Sequence, residues 1–309
     1  MASRWPRTEF AARGGAVLLG LVLALAGCRS VPPGPTVIPT LAARDEIVVA
    51  GRRFHTGTRI VTWREAGGYD GYANPGSFTR RSVADKKGEP ELAALRGLVD
   101  QFVLHYDACG LSKVCFNVLR QRHLSVHFLL DVDGTVYQTI DLREKAEHAT
   151  IANDRSIGIE IANIGAYPPA DRGRLDEWYR RDGEGVRLVV PARIREPGIL
   201  TRNFSGRPAR PALVRGRIQN SELVQYDLTP EQYAALAKLT AALCRVFPKL
   251  ECDYPHDAAG RLKTGKLADA ELAHYHGVLG HYHLQENKID PGPAVQWRQL
   301  IDDARRELR

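Results

Sequence analysis

The chain has 309 residues, enough for one large domain or two small ones, and its 44% hydrophobic and 26% charged residues are those of an ordinary globular protein. The formal charge is +7, and would be +5 for a chain cut before Cys28, because Arg4, Arg7, Arg13 and Glu9 would leave with the leader. No basic stripe with interleaved aromatics accompanies this excess, so no nucleic-acid partner is expected; a solvated surface or an acidic polymer accounts for it.

Residues 1–27 read as a secretion signal. Three arginines precede an apolar run over 16–26, which is too short to span a bilayer as a stable helix. The run ends in Leu25-Ala26-Gly27-Cys28, which resembles a bacterial lipobox. In signals of that kind the chain is cut before the cysteine, which then carries lipid, and lipid on Cys28 would anchor the protein to a membrane rather than span it. An ordinary cleaved signal with a chance cysteine is the alternative. Arg29, where an aspartate would argue otherwise, makes the outer membrane, facing the periplasm, the expected location by the same resemblance. Residues 28–45, with Val31-Pro32-Pro33-Gly34-Pro35, read as an extended tether. Residues 46–90 form a lead segment with β-rich stretches and a Gly/Tyr-rich loop, whose role is not readable.

A short helix is expected from Pro90 to Leu98, and a strand over Gln101–Tyr106, with Val103 and His105 sharing one face. Over 125–140, Asp133-Gly134 between two β-rich runs is a hairpin signal. Residues 156–163 read as a strand with Ile157, Ile159 and Ile161 on one face and Gly158, Glu160 and Ala162 on the other, which leaves room around the carboxylate. Residues 165–226 are rich in Arg, Pro and Gly and read as an insertion of loops with a short strand over 186–190. Thr229, Pro230 and Gln232 supply a cap, a first-turn proline and a capping box for a helix ended by Pro248. A last helix is expected from Pro293, with Trp297, Ile301, Ala304 and Leu308 on one face. Strands interleaved with helices make an α/β fold, a central mixed sheet flanked by helices.

Four further cysteines lie in two close pairs, Cys109 with Cys115 and Cys244 with Cys252. In an oxidising compartment two local disulfides are expected. A four-cysteine zinc site is the alternative, weakened by the wide separation of the pairs and the lack of Cys-x-x-Cys. A second constellation is His105 at a strand end, His281 after Gly280, and Asp290 before Pro291. Three such ligands could hold zinc and leave one position open. A carboxylate at Asp290, just before the last helix, would be favoured by the helix dipole. Spacing alone leaves separate surface or core groups as an equal alternative, and His283 as a rival to His281.

Several segments together resemble the type 2 N-acetylmuramoyl-L-alanine amidase family, which also contains phage lysozyme-type amidases and animal peptidoglycan recognition proteins. They are Val103-Leu104-His105-Tyr106, Ser125-Val126-His127-Phe128 with Asp133-Gly134-Thr135-Val136-Tyr137-Gln138, Glu147-His148-Ala149, Ser156-Ile157-Gly158-Ile159-Glu160, and Gly280-His281 followed by Lys288-Ile289-Asp290-Pro291-Gly292-Pro293. The resemblance implies a zinc amidase domain over 91–309, with zinc in an open groove on the mixed sheet. It implies His105, His281 and Asp290 as the Zn2+ ligands and Glu160 as the catalytic acid/base. It also implies Lys288 as the group facing oxyanion charge and His148 as a substrate contact. The implied partner is peptidoglycan or its muropeptides, and the implied reaction is hydrolysis of the amide between the lactyl group of N-acetylmuramic acid and L-alanine. A monomer is expected. A non-catalytic peptidoglycan binder of the same fold is the alternative, which the full ligand set and Glu160 oppose. Two departures stand out: Val126 occupies a position where some relatives carry tyrosine, and the interval from His281 to Asp290 is one residue shorter than in some. The insertion over 165–226 has no counterpart in the family pattern and is expected to build a groove wall that selects glycan length or stem peptide. His127 is expected to be a hairpin core residue rather than a ligand.

Overall fold

The computed structural model describes residues 44–82 and 91–309. The signal, Cys28 and most of the tether lie outside them. Chain order begins with β1 (Arg44–Val49), β2 (Arg52–Thr62), β3 (Phe78–Arg80), α1 (Glu91–Leu98), β4 (Gln101–Tyr106) and α2 (Ser112–Gln121). The hairpin strands β5 (Phe128–Leu130) and β6 (Val136–Gln138) follow, then β7 (Glu144–Ala146) and β8 (Ser156–Ile161). Next come α3 (Gly173–Trp178), β9 (Tyr179–Asp182), β10 (Gly185–Leu188), β11 (Val214–Ile218) and β12 (Ser221–Gln225). The chain ends with α4 (Pro230–Val246), α5 (Asp269–His274), β13 (Gly277–Gly280) and α6 (Trp297–Leu308).

Seven strands form one mixed sheet in the order β1-β2-β6-β5-β8-β4-β13. The β5–β6 pair is antiparallel, with Gly134 at φ +79 in its turn, while β8, β4 and β13 run parallel. Hairpins join antiparallel neighbours; the parallel strands are reached by the longer crossovers that such pairing requires. Strand β2 pairs in parallel with β6, so the lead segment extends this sheet. Arg81, at the end of that segment, is buried and donates to the carbonyls of Leu142, Asn153, Asp154 and Ser156. Its donors thus serve backbone carbonyls before β7 and at the start of β8, with no carboxylate partner among the described residues.

Alternation along the strands decides the two faces. Phe102, Leu104, Ile157, Ile159 and Ile161 join the large core with the apolar stripes of α4 and α6. Val103 and Leu279 face the other way, in a smaller cluster with Ala149 and Leu284. Helix α4 starts where its sequence places it: Thr229 Oγ1 accepts from Gln232 N, and the Gln232 side chain accepts from Thr229 N. Leu236, Leu239, Leu243 and Val246 are buried along it. Burying four such side chains contributes about 1.5–3 kcal/mol each, and this, rather than the cap, holds the helix to the sheet.

The last helix corrects the sequence reading. It begins at Trp297, four residues after the expected Pro293. The intervening amides are already taken by tertiary partners, Ala294 N by Gln225 Oε1 at 3.0 Å and Gln296 N by Tyr233 Oη at 3.0 Å. Asp290 therefore does not sit at a helix N-terminus. The insertion is also more ordered than expected, with β9–β10 and β11–β12 as two antiparallel hairpins.

Candidate metal centre and catalytic cavity

Half of the site is carried by strands. In the parallel β4–β8 ladder His105 stands beside Glu160, so both project from the face opposite α4 and α6. His148 arrives from the segment between β7 and β8 and lays its ring on Gly158. A Cβ at Gly158 would stand 2.5 Å from His148 Nδ1, so the small residue noted in the sequence makes room for this ring. His148 Nδ1 lies 3.1 Å from His105 Nε2, and its Nε2 lies 3.3 Å from Ser156 Oγ.

The other half is carried by a loop. Strand β13 runs parallel to β4 and ends at Gly280, where a Cβ would stand 2.7 Å from Pro291 Cδ. A short 3-10 turn over His281–His283 follows, and Tyr282 N bonds Asp290 O at 3.1 Å, which folds Asp290 back beside His281. His283 points away from the cavity. It is fully buried, accepts from Gly280 N at 2.9 Å and reaches Lys263 O at 2.7 Å. It is a core histidine, as is His127, which accepts from Gly158 N at 3.1 Å and reaches Glu144 O at 3.0 Å.

The two halves meet at one carboxylate oxygen. Asp290 Oδ2 lies 2.8 Å from His105 Nδ1 and 3.0 Å from His281 Nδ1. The three residues offer ligand atoms all within 4.8 Å of one another. His281 turns its Nε2 to Gln285 Oε1 at 2.7 Å. A neutral imidazole has one N–H, yet both nitrogens of His281 face oxygen acceptors. A cation held between the three residues would resolve this, with Nε2–H donating to Gln285 and Nδ1 offering its lone pair. Zinc bound at about 2.0–2.2 Å in a tetrahedral site needs donors about 3.4 Å apart, a small outward adjustment of this arrangement. Gln285 stands where the orienting partner of a metal-bound histidine would stand. It was missed in the sequence, although its position four residues after His281 was a usable signal.

Burial acts on His105, His148, Asp290 and Glu160. It lowers His105 to about 4, despite the opposing pull of Asp290. It lowers His148 as well, aided by His105. Burial also pushes Asp290 upward, but the bonds from His105 and His281 outweigh it and hold the carboxyl below its usual range. A neutral His105 beside an ionised Asp290 is the pair of protonation states that metal ligands require. Glu160 is raised well above the usual carboxylate range, first by burial and then by the neighbouring Asp290 charge, with Lys288 opposing. Among the described residues its carboxylate has no hydrogen bond or ion pair, so Glu160 is not locked to Lys288.

A cavity of about 480 Å³ is lined by His105, His148, Glu160, His281, Lys288 and Asp290. All six site residues singled out in the sequence thus share one open groove. Cys109 and Cys115 also line it, whereas Cys244 and Cys252 are remote, against α6. All four are free thiols in the structure, and each expected pair is adjacent, close enough for one thiol to raise the other's proton affinity. No residue of 165–226 is among those lining this cavity. Val126, at the departure from the family pattern, is buried with Leu129 and Tyr137.

A sequence model of the family described as N-acetylmuramoyl-L-alanine amidase matches residues 95–293. No curated protein sequence matches the chain. Among solved structures, a selenomethionine derivative of AmpD shares 15% identity over 81% of this chain and 99% of its own, at a TM-score of 0.37. AmiD from E. coli, solved with the substrate anhydro-N-acetylmuramic acid-L-Ala-D-gamma-Glu-L-Lys, shares 16% identity over 84% of this chain and 65% of its own, at 0.37. The Ph2119 endolysin of a Thermus scotoductus bacteriophage shares 16% over 80% and 99%, at 0.38. Assignment rests on the sequence match, which covers well over half of the chain and every residue of the cavity named above: the chain belongs to the N-acetylmuramoyl-L-alanine amidase family and is an amidase of that kind.

Proposed function

We propose that the protein is a zinc-dependent amidase that cleaves the bond between the lactyl group of N-acetylmuramic acid and L-alanine in peptidoglycan or its fragments. The observation that carries this is the meeting of His105 and His281 on Asp290 Oδ2, inside the cavity that Glu160 and Lys288 also line. His105, His281 and Asp290 would hold the zinc, which supplies Lewis acidity to water and to the scissile carbonyl. Glu160 takes a proton from the attacking water. A carboxylate whose proton affinity is raised by burial suits that task, because it can then return the proton to the leaving nitrogen of L-alanine. Lys288 places its ammonium where negative charge develops on the carbonyl oxygen. His148, buried and neutral beside His105, contacts substrate at the wall of the groove.

Zinc-loaded protein incubated with defined muropeptides, with products identified by mass spectrometry, tests this directly. The expected product is a stem peptide with a free L-alanine amine. Cleavage within the stem would refute the bond assignment, and equal turnover after complete chelation would refute the metal.

The chain's export is part of the same reading: residues 1–27 are removed, Cys28 carries lipid, and the domain sits at the outer membrane facing the periplasm. Cys28→Ser should move the protein from the membrane to the soluble fraction. The pairs Cys109–Cys115 and Cys244–Cys252 close as disulfides in that compartment, which peptide mapping without reductant would detect.

A further inference from the structure

The ligand loop over 281–294 carries His281, Lys288 and Asp290 but has few backbone bonds of its own. Tyr282 N to Asp290 O, Leu284 N and Gln285 N to His281 O, Lys288 N to Gln285 O and Gly292 N to Ile289 O lie within it. From outside, Leu267 N donates to His283 O, His283 Nε2 reaches Lys263 O, and the insertion supplies a further set of attachments. At the tip of the β11–β12 hairpin, Gln219 Nε2 donates to Tyr282 O at 2.8 Å and to Gln285 O at 3.1 Å. Gln219 is itself fixed at both ends, with its N–H on Thr264 O at 2.7 Å and its Oε1 accepting from Lys266 N at 3.2 Å.

At the base of the same hairpin, fully buried Gln225 does a second job. Its Nε2 donates to Pro291 O and to Asn163 Oδ1, each at 3.1 Å, and its Oε1 accepts from Ala294 N. Asn163 closes the circuit: its backbone N–H donates to Asp107 Oδ1 at 3.1 Å. The segments that follow the Glu160 strand and the His105 strand are thereby tied to the loop through one side chain. Between the two glutamines, Gly216 lies so close to Pro293 that a Cβ would stand 2.6 Å from the proline Cβ.

Gln219 has a backbone oddity that agrees with this role. Its φ is +52, in the left-handed region. Two-residue hairpin turns favour asparagine and glycine there, and a longer side chain has no local reason to occupy the position. Unfavourable backbone conformations persist where surrounding contacts over-determine them. Here only a side chain of glutamine length spans from the turn to both carbonyls.

We infer that the β11–β12 hairpin is a brace for the metal-ligand loop, with Gln219 and Gln225 as positioning residues for His281 and Asp290. This rests on the proposed metal site. Gln219 holds the carbonyl of Gln285, whose side chain orients the His281 ring, and Gln225 holds the residue next to Asp290. Neither glutamine touches the cavity.

The decisive variants are Gln219→Asn, which keeps tolerance of the turn but loses reach, and Gln219→Glu, which keeps length but turns an acceptor toward two carbonyls. Glu222→Gln, which breaks only the exposed pair with Arg217 on the same hairpin, is the control. Zinc affinity is measured by competition with a chromogenic chelator, well below the melting temperature of the metal-free proteins, and amide exchange is followed over 281–294. Both Gln219 variants should weaken zinc binding by about 10–100-fold, the usual effect of losing a partner that orients a metal ligand, and quicken exchange across the loop; the control should do neither. Unchanged affinity and unchanged loop exchange overturn the brace, even if the melting temperature falls. Should the unaltered protein take up no zinc, the metal reading fails separately. Loop exchange in Gln219→Asn then decides the brace alone, with faster exchange upholding it and unchanged exchange overturning it.

Discussion

The strand-borne and loop-borne halves of the site are held by different physics. His105 and Glu160 are placed by ladder register, in which backbone hydrogen bonds on both sides of β4 and β8 fix each residue to its neighbour. A one-residue slip would turn both side chains into the core, so the isoleucines opposite them enforce the register. His281, Lys288 and Asp290 have no ladder. They are placed by side chains reaching in from elsewhere, chiefly Gln219 and Gln225, and by the buried His283 at the start of the turn. A strand half of this kind tolerates local change poorly but needs no distant support. A loop half can be loosened from outside without touching a ligand.

Removing chemistry from the strand half should have the largest effect. Glu160→Gln is expected to lower kcat by about 10²–10⁴-fold, as for loss of a general acid/base, while zinc content stays at the level of the unaltered protein. Loss of zinc in that variant would mean that the carboxylate supports the metal. The matching cut in the loop half is Lys288→Ala, for which about 10²–10³-fold in kcat is expected, with KM little changed, if its ammonium faces the developing charge. A change confined to KM would instead place Lys288 on ground-state substrate.

A structural break in the strand half is Gly158→Ala. The added methyl would meet the His148 ring, and overpacking of this kind costs about 1–3 kcal/mol; a lowered melting temperature with loss of zinc-loaded activity is the expected result. An unchanged melting temperature would show that the ring moves freely and is not fixed by the strand.

The smallest effect is a slope with pH, in the turn beside the strand half. Burial raises Asp131 to about 7, with Asp133 and Asp107 adding to it. An unfolded aspartate titrates near about 3.9, so between these values the native chain keeps a proton that the unfolded chain has lost. Stability contributed by this group is full below that window, falls as pH rises to about 7, and is flat above, with a slope of at most about 1.4 kcal/mol per pH unit. Denaturation across this range should show the slope in the unaltered protein and a shallower one in Asp131→Asn. Parallel curves would mean that Asp131 does not titrate there.

The chemistry of the site was legible in the sequence, because residue type and family order do not depend on how the chain folds. His105, Glu160, His281, Lys288 and Asp290 lie in one groove, and the capping box of α4 and the Asp133-Gly134 hairpin formed where local signals put them. Local signals failed where distant groups competed for the same atoms. Pro293 looked like a helix start, but Gln225 and Tyr233 take the amides of Ala294 and Gln296, so the helix waits until Trp297. The carboxylate state of Asp290 was credited to that helix, whereas His105 from a strand and His281 from a turn supply it.

What the sequence determined by itself was therefore the class of fold, the family and the residues that share one cavity, through periodicity, caps and motif. Only the tertiary structure decided which nitrogen faces which oxygen, why Gly158 must be small, and what the insertion touches. Those depend on strand register and on side chains that bridge segments dozens of residues apart, and no short-range pattern encodes them. The insertion shows this most plainly: its composition said loop, while its fold sets Gln219 and Gln225 against the run that carries His281 and Asp290.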